Sequence, residues 1–227
     1  MYAAVRVLHR MRQVVGRLRG LTVDLDVTPR EHDSGYYDHS FRVSKHYRLH
    51  YTQSPYYPVW TVVLDRIKRA SLLRVVDVGC GAGQFACLLR DHGIGDYTGI
   101  DFSPARVAYA RKVCPEYRFL AEDVFASEIL KTEEYDAVVA LEFLEHVERD
   151  IDFIRLIRPG TTCIFSVPSF GGSTHVRHFE SVAQVSQRCG NHLHAVSVDR
   201  ILLDPLGATI FVLQGTQISC AAVHDRG

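Results

Sequence analysis

From residue 75 onwards, short apolar runs recur at regular distances along the chain. They cover residues 75–78, 97–100, 117–121, 135–141 and 162–167. Most of their positions are apolar rather than alternating with polar ones, which is typical of parallel strands that helices cover on both faces of a sheet. The pattern predicts five buried parallel strands.

Helical patterns with clear start and stop signals lie around these runs. The predicted helices cover residues 58–69, 85–90, 104–112, 145–157 and 179–188. Pro58 suits the first turn of the first helix because its fixed φ is already helical. Ser103 followed by Pro104 has the form of an N-cap and first helical position. Pro159 and Gly160 end the helix that begins at residue 145.

Two further apolar runs, 195–203 and 208–213, follow the last helix and are separated by a short turn segment. This short separation predicts an antiparallel hairpin. Strands that alternate with helices predict right-handed βαβ units. The predicted fold class is therefore α/β, a three-layer arrangement with a mostly parallel seven-stranded sheet and a C-terminal antiparallel hairpin.

The N-terminal region differs from the rest. Residues 1–20 contain five arginines and no acidic residue, with apolar positions at helical spacing. Such a stretch can contact a membrane surface or a protein partner, act as a targeting segment, or remain a poorly ordered tail. We divide the chain into a basic extension (1–35), an aromatic-rich lead-in or lid with the first helix (36–70), the α/β domain (71–217) and a tail (218–227).

Composition narrows the partners. The 227 residues include 26 basic and 26 acidic side chains, so the formal net charge is zero. A nucleic-acid surface usually leaves a basic excess, so its absence argues against a nucleic-acid partner and favours a small-molecule or glycan-type substrate. The six cysteines show no C-x-x-C pair or zinc spacing, as expected of a reduced cytoplasmic protein.

A glycine motif follows the first predicted strand. It reads Asp77-Val-Gly79-Cys-Gly81-Ala-Gly83. Glycines permit a tight turn and a close backbone approach to a ligand. The spacing differs from the G-x-G-x-x-G of dinucleotide binders, whose loop holds a pyrophosphate. Asp77 precedes the glycines, and its carboxylate suits the ammonium of an amino-acid moiety better than a pyrophosphate.

Acidic residues also end the next two predicted strands. Asp101 follows the second strand, where a carboxylate can accept both hydroxyls of a ribose. Its alternative role is a helix cap, although Ser103 already fits that position. Asp123 follows the third strand and can accept from an adenine amino group, with Val124 and Phe125 near the ring, or it is an ordinary loop acid.

In combination, these features resemble the class I, Rossmann-like S-adenosylmethionine-dependent methyltransferases over about residues 60–215. The resemblance implies that residues 71–217 bind S-adenosylmethionine, with Asp77 and the backbone of Gly79, Gly81 and Gly83 holding the methionine part. It implies that Asp101 binds the ribose and Asp123 the adenine. Other residues expected beside the cofactor are Cys80, Phe102, Val124 and Leu141.

A second motif, Glu142-Phe-Leu-Glu145-His146, follows the fourth strand. Positions i, i+3 and i+4 share a helix face, so these three side chains can converge on Mg²⁺ or another divalent ion. The motif resembles stretches of quinone-pathway O-methyltransferases and of metal-dependent small-RNA ribose 2′-O-methyltransferases. The alternative is that acids in a first helical turn complement the helix dipole.

The loop after the fifth strand carries His175, Arg177 and His178. It resembles a stretch of the quinone-type methyltransferases. Either histidine can act as a general base, as can Glu142 or His146, and His175 is alternatively a further metal ligand. Arg177 pairs with an anionic substrate group or with a nearby acid. The alternative is that both histidines are surface or capping residues.

Three functions follow from these features. The first is O-methylation of a small-molecule or glycan-type acceptor. The second is metal-dependent 2′-O-methylation of an RNA ribose, and the third is a non-catalytic S-adenosylmethionine-binding module. We expect the first, because the net charge is zero and the cofactor residues are present.

Overall fold

The computed structural model describes residues 28–205 and 207–218, and seven strands of this part form one sheet. The strands are β1 (Arg74–Val78), β2 (Asp96–Asp101), β3 (Arg118–Ala121), β4 (Ala137–Leu141), β5 (Thr162–Pro168), β6 (Leu193–Leu202) and β7 (Thr209–Gln217). Their order is β3-β2-β1-β4-β5-β7-β6. Strands β1 to β5 pair in parallel, whereas β7 is antiparallel to both β5 and β6. The predicted sheet and C-terminal hairpin are confirmed.

Helices cover both faces of this sheet. They are α1 (Ser34–Val43), α2 (Tyr57–Arg69), α3 (Gln84–Asp91), α4 (Pro104–Val113), α5 (Ile129–Thr132), α6 (Asp150–Leu156) and α7 (Val182–Cys189), with 3₁₀ turns at Lys45–Arg48, Tyr51–Gln53 and Leu144–His146. The predicted cap of α4 is confirmed, because the Ser103 side chain accepts a hydrogen bond from the amide of Arg106. None of the helices in the described part is long and apolar enough to cross a bilayer. The basic stretch 1–20 lies outside the described residues.

The predicted helix 145–157 is wrong in its first half. The chain forms a 3₁₀ turn at Leu144–His146, becomes extended at Val147 with φ −119° and ψ 133°, and enters α6 only at Asp150. Arg177 explains the break, because its guanidinium donates to the backbone carbonyls of Leu144 and Val147. A distant side chain therefore binds carbonyls that helical amides would otherwise take.

Helix α1 was not predicted, since the lead-in showed no clear periodicity. It buries only Phe41, so its apolar stripe is minimal. The Asp33 side chain caps its start by accepting from the amide of Tyr36. The Asp38 carboxylate accepts from the Ser103 hydroxyl and from the amide of Ala105, which docks α1 on the N-terminus of α4. Tertiary contacts thus place a helix that local pattern does not specify.

The alternation along β1 explains how the three layers are held together. Val75 points into a core shared with α2, α3 and α4, whereas Val76 and Val78 point into a second core shared with α5, α6 and α7. Both faces of the central strand are therefore buried, as the apolar runs predicted. Burial of such apolar area contributes about 25 cal/mol per Å² to folding.

The strand order also fixes where a ligand can bind. After β1 the chain moves to β2 and β3 on one side, and then returns to β4 and β5 on the other. The loops that follow β1 and β4 therefore leave in opposite directions and open a crevice at the carboxyl ends of these strands.

Candidate active site

A cavity occupies the crevice at the carboxyl ends of β1, β2 and β4. The predicted site residues that line it are Gly79, Asp101, Phe102, Asp123, Val124, Glu142 and His146. The remaining predicted residues, Asp77, Cys80, Gly81, Gly83, Leu141, Glu145, His175 and His178, are not among its lining residues. The structure therefore brings both predicted motifs to one cavity and separates residues that face it from residues that support it.

The glycine loop between β1 and α3 has the backbone that glycine permits. Gly79, Gly81 and Gly83 have φ angles of 77°, 55° and 81°. A Cβ atom on Gly83 would lie 3.0 Å from the Cβ of Ala110 in α4. The left-handed backbone and the close helix both exclude a side chain at Gly83.

Asp101 connects this loop to the end of β2. Its Oδ2 accepts from the amide of Gly81 at 3.0 Å, and its Oδ1 accepts from the amide of Ser103 at 2.8 Å. Burial raises the pKa of Asp101, although the Arg106 cation and the two amides oppose this rise. The carboxylate holds the loop in place and faces the cavity, where a ribose would donate its hydroxyls.

Asp77 lies behind the glycine loop on the α3 and α4 side of the sheet. It is buried, and Tyr97 donates its hydroxyl to Asp77 Oδ2 at 2.7 Å. Burial raises the pKa of Asp77 to about 7, despite the hydrogen bond from Tyr97. Contact of Asp77 with the methionine part of a cofactor stays a prediction.

Asp123 stands at the rim of the cavity and is exposed. Its Oδ1 accepts from the amide of Phe125 at 2.9 Å, which closes the turn after β3. Val124 and Phe125 line the cavity beside it. The predicted adenine side of the site is therefore an apolar wall with a carboxylate at its edge.

Glu142 enters the cavity from the end of β4 in a strained backbone conformation. Its φ of 52° is rare for a residue other than glycine, and such strain is typical of functional sites. Ser166 in β5 supports it on both sides, because the Ser166 hydroxyl accepts from the Glu142 amide at 2.8 Å and donates to Oε1 at 2.9 Å. Tyr56 also hydrogen-bonds this carboxyl group. Burial raises the pKa of Glu142.

Glu145, His146 and His175 form the cluster that can hold a metal ion. Each offers one ligand atom, and these atoms lie within 4.8 Å of one another. Glu145 is fully buried, and neither of its carboxylate oxygens has a hydrogen-bond donor among the described residues. Burial and the neighbouring Glu142 raise its pKa. A buried carboxylate without a donor is costly, so this position suits a cation.

The two histidines present matching nitrogens. Nδ1 of His146 lies 2.8 Å from the carbonyl oxygen of Thr174, and Nδ1 of His175 lies 3.0 Å from that of Phe170. Because a carbonyl only accepts, both Nδ1 atoms carry the proton, and Nε2 of each neutral ring can bind a metal or accept a proton. Burial lowers the pKa of His146 to about 4 and also lowers the pKa of His175.

Arg177 fastens the loop after β5 to the loop after β4. It donates to the carbonyls of Leu144, Val147 and Glu148, and its NH2 group lies 3.4 Å from the Asp150 carboxylate. It therefore pairs with backbone and with a nearby acid. His178 is exposed, lies beside Gly171 and is not part of the cluster.

Several cavity residues were not predicted. They are Glu31, His32, Tyr37, Val78, Ile100, Arg106, Glu122, Phe143 and Val147. The Tyr37 ring lies 5.3 Å from that of Phe102 and 6.0 Å from that of His146, so α1 covers the cavity between the two predicted motifs. The tyrosine-rich lead-in was predicted to form a lid, but the tyrosine that lines the cavity is Tyr37. The lid residues named from the sequence, Tyr47, Tyr51, Tyr56 and Tyr57, are not among the lining residues. One feature of the sequence could have marked Arg106 as a site residue. It lies in the first turn of a predicted helix, where the helix dipole disfavours a cation.

Comparison with known proteins agrees with this geometry. Residues 76–165 match a family model described as a methyltransferase domain. Among curated proteins, the ubiquinone biosynthesis O-methyltransferase of Pseudomonas putida (strain GB-1) is 36% identical over 111 residues, which are 44% of this chain and 47% of that protein. The protein with the same description from Alkalilimnicola ehrlichii is 36% identical over 101 residues, covering 41% of this chain and 40% of that protein. The matched region thus spans less than half of these relatives.

Solved structures share the fold. The methyltransferase domain of bacterial CtHen1-C superposes with a TM-score of 0.56 at 20% identity, covering 70% of this chain and 97% of that chain. The N-methyltransferase NodS from Bradyrhizobium japonicum WM9, in complex with S-adenosyl-L-homocysteine, gives 0.55 at 20% identity, covering 70% and 85%. The family match over residues 76–165 and the strand order of the sheet both agree with the expected class I, Rossmann-like methyltransferase fold.

Proposed function

We propose that this protein is an S-adenosylmethionine-dependent methyltransferase that methylates an oxygen atom of a small-molecule acceptor. The observation that carries the proposal is the single cavity in which Asp101 and Asp123 meet Glu142 and His146. The first pair suits an adenosine, and the second pair provides polar groups for an acceptor hydroxyl. The curated relatives described as O-methyltransferases support transfer to oxygen.

In this proposal, different residues of the chain have different roles in the reaction. S-Adenosylmethionine supplies a methyl group on a sulfonium, which is already a reactive electrophile. Asp101 and the glycine loop orient the adenosine and methionine parts, and Tyr37 in α1 excludes water from above. Correct positioning of this kind can lower a barrier by about 7–11 kcal/mol. Glu142 and His146 face the acceptor side, where Nε2 of the neutral His146 can take the hydroxyl proton when no metal ion is bound to it.

We further propose that Glu145, His146 and His175 hold a divalent ion. The donor-free buried carboxylate of Glu145 and the two Nε2 atoms support this ligand set. Two imidazoles with one carboxylate favour a transition ion such as Mn²⁺, Co²⁺ or Zn²⁺ over Mg²⁺, which prefers oxygen ligands. When bound, the ion would lower the pKa of an acceptor hydroxyl.

The acceptor and the cellular location are part of the proposal. Zero net charge supports a small-molecule or glycan-type acceptor over RNA. The cysteines of the described part are free thiols, which supports the reducing cytoplasm.

Two measurements test the proposed function. Isothermal titration calorimetry with S-adenosylhomocysteine should give micromolar binding, and absence of binding at high micromolar concentration would exclude both an enzyme and a cofactor-binding module. Transfer of a labelled methyl group should occur to one or more members of a panel of catechols and phenols. Transfer to a 2′,3′-diol RNA end, with none to the panel, would instead assign an RNA acceptor.

A chelator separates the two roles of His146. We expect dialysis against EDTA to abolish transfer, and Mn²⁺ or Co²⁺ to restore it. Full activity after complete metal removal, verified by elemental analysis, would leave His146 as a metal-free general base and refute the proposed ion.

A further inference from the structure

Arg106 occupies an unusual position for a cation. It lies in the first turn of α4, where the helix dipole opposes positive charge. Among the described residues that line the cavity, it is the single lysine or arginine, and five lining residues carry carboxyl groups. A cation at this point loses free energy to the helix end, so a compensating interaction is expected.

Two aromatic rings hold its guanidinium in place. The Arg106 Cζ lies 4.9 Å from the ring centre of Tyr37 and 4.5 Å from that of Tyr47. Cation–π contacts of this kind contribute about 0.5–2 kcal/mol and leave the N–H groups available for other bonds. The rings thus orient the arginine without satisfying its donors.

The donors of Arg106 are not all satisfied within the described part of the chain. Its Nε is buried and has no hydrogen-bond acceptor among the described residues. The nearby carboxylate of Asp101 already accepts from the amides of Gly81 and Ser103. By contrast, Arg188 donates to both carboxylate oxygens of Asp150. Arg106 therefore has a fixed orientation, a cavity in front of it and an unused donor.

We propose that Arg106 binds a carboxylate of the molecule that occupies this cavity. The inference rests on the proposed function and deepens it. A guanidinium pairs with a carboxylate through two parallel hydrogen bonds, which suits a planar donor held between rings. Two sources offer this group, namely the amino-acid carboxylate of the cofactor and a carboxylate on the acceptor.

The fold favours the cofactor as the source. The Gln84 side chain at the start of α3 donates to the carbonyls of His46 and Leu49, at 3.1 and 2.7 Å. These bonds hold the segment that carries Tyr47 against the helix that follows the glycine loop. Tyr47 then brings Arg106 to the side of the cavity where that loop would bind an amino-acid moiety.

The test compares two ligands that differ only in the carboxylate. They are S-adenosylhomocysteine and S-adenosyl-3-thiopropylamine, its decarboxylated form. Calorimetry should show that wild-type protein binds the first more tightly. Arg106→Met should weaken binding of S-adenosylhomocysteine by about 10- to 100-fold and leave the decarboxylated ligand within about threefold, since a hydrogen bond to a charged group is lost. Arg106→Lys should be intermediate, and Lys112→Met, exposed on the same helix, should match wild type.

A second arm tests the acceptor as the source. If Arg106→Met leaves both cofactor ligands unchanged but raises KM for 3,4-dihydroxybenzoate and not for catechol, the carboxylate belongs to the acceptor. Unchanged ligand ratios together with unchanged KM values would refute the role of Arg106. Failure of the wild-type protein to bind either adenosyl ligand would instead refute the proposed function itself. Binding of the decarboxylated ligand by each variant verifies that it is folded.

Discussion

Nδ1 of His146 donates to the carbonyl oxygen of Thr174 across 2.8 Å, and this bond joins the loop after β4 to the loop after β5. The amide of Val176 repeats the connection by donating to the carbonyl of Glu145 at 2.8 Å. Strands β4 and β5 are parallel neighbours, so their following loops meet at one edge of the sheet. The position of the candidate metal ligands therefore depends on residues 174–177 as much as on the motif that contains them.

Of the residues in the loop after β5, Arg177 is the one whose replacement should reduce stability and activity most. Arg177→Met would leave the carbonyls of Leu144, Val147 and Glu148 without this donor, and we expect a stability loss on the order of 3 kcal/mol in urea unfolding. We also expect kcat for methyl transfer to fall by roughly 10- to 100-fold, because the acceptor side would lose its alignment.

The control for this prediction is Arg155→Met. Arg155 is half exposed and pairs with Asp152 within α6, so its removal should change stability little. Equal losses of stability and activity in the two variants would contradict the positioning role of Arg177.

Removal of the Glu145 carboxylate should weaken metal binding. Glu145→Gln keeps the size of the side chain but loses the charge that a cation would balance. We expect the dissociation constant for Mn²⁺, measured by electron paramagnetic resonance of the free ion, to rise by at least about 10-fold. Glu148→Gln, at an exposed position three residues away, should bind Mn²⁺ as wild type does. Equal Mn²⁺ affinity in both variants would exclude Glu145 as a ligand.

Burial on both faces explains why the sheet was predictable. Val75 faces one core and Val76 the other, so the strand reads as a continuous apolar run. The acids at 101 and 123 were predictable for a related reason, because parallel strands bring their carboxyl ends to the same edge. These features depend on local composition and on a topological rule.

The features that were missed depend on contacts between distant residues. Helix α1 is held by Asp38, which bonds to residues at the start of α4, and its own pattern is weak. The predicted helix from residue 145 fails because Arg177 takes its early carbonyls. The spacing of the motif joined Glu142 to Glu145 and His146, and named His175 only as an alternative further ligand. Among the described residues, the group of three that can hold a metal ion is Glu145, His146 and His175.

Loss of the Asp101 charge should weaken cofactor binding. Asp101→Asn retains an acceptor for the glycine loop but offers a weaker acceptor to ribose hydroxyls. Calorimetry with S-adenosylhomocysteine should show a roughly 10- to 100-fold loss of affinity. Asp96→Asn alters an exposed acid at the opposite end of β2 and should bind normally. A similar loss in both variants would show that Asp101 does not contact the cofactor.

Asp77 should make the cofactor-free protein less stable as pH rises. Its pKa in the folded protein is about 7, above the ordinary 3.8 of an unfolded chain, because burial disfavours the charge. Between these values the folded state binds more protons than the unfolded state, so the Asp77 contribution to the free energy of unfolding falls from about pH 4 to pH 7 and then levels off. Asp77→Asn cannot ionise, and its side-chain oxygen still accepts from Tyr97. The variant should therefore exceed wild type in stability by on the order of 2–4 kcal/mol at pH 8, and by clearly less at pH 5.

Urea unfolding at pH 5, 6, 7 and 8 measures this difference, with Asp96→Asn as the exposed control. A gain that is the same at pH 5 and pH 8 would show that the Asp77 carboxylate is not destabilised by its burial.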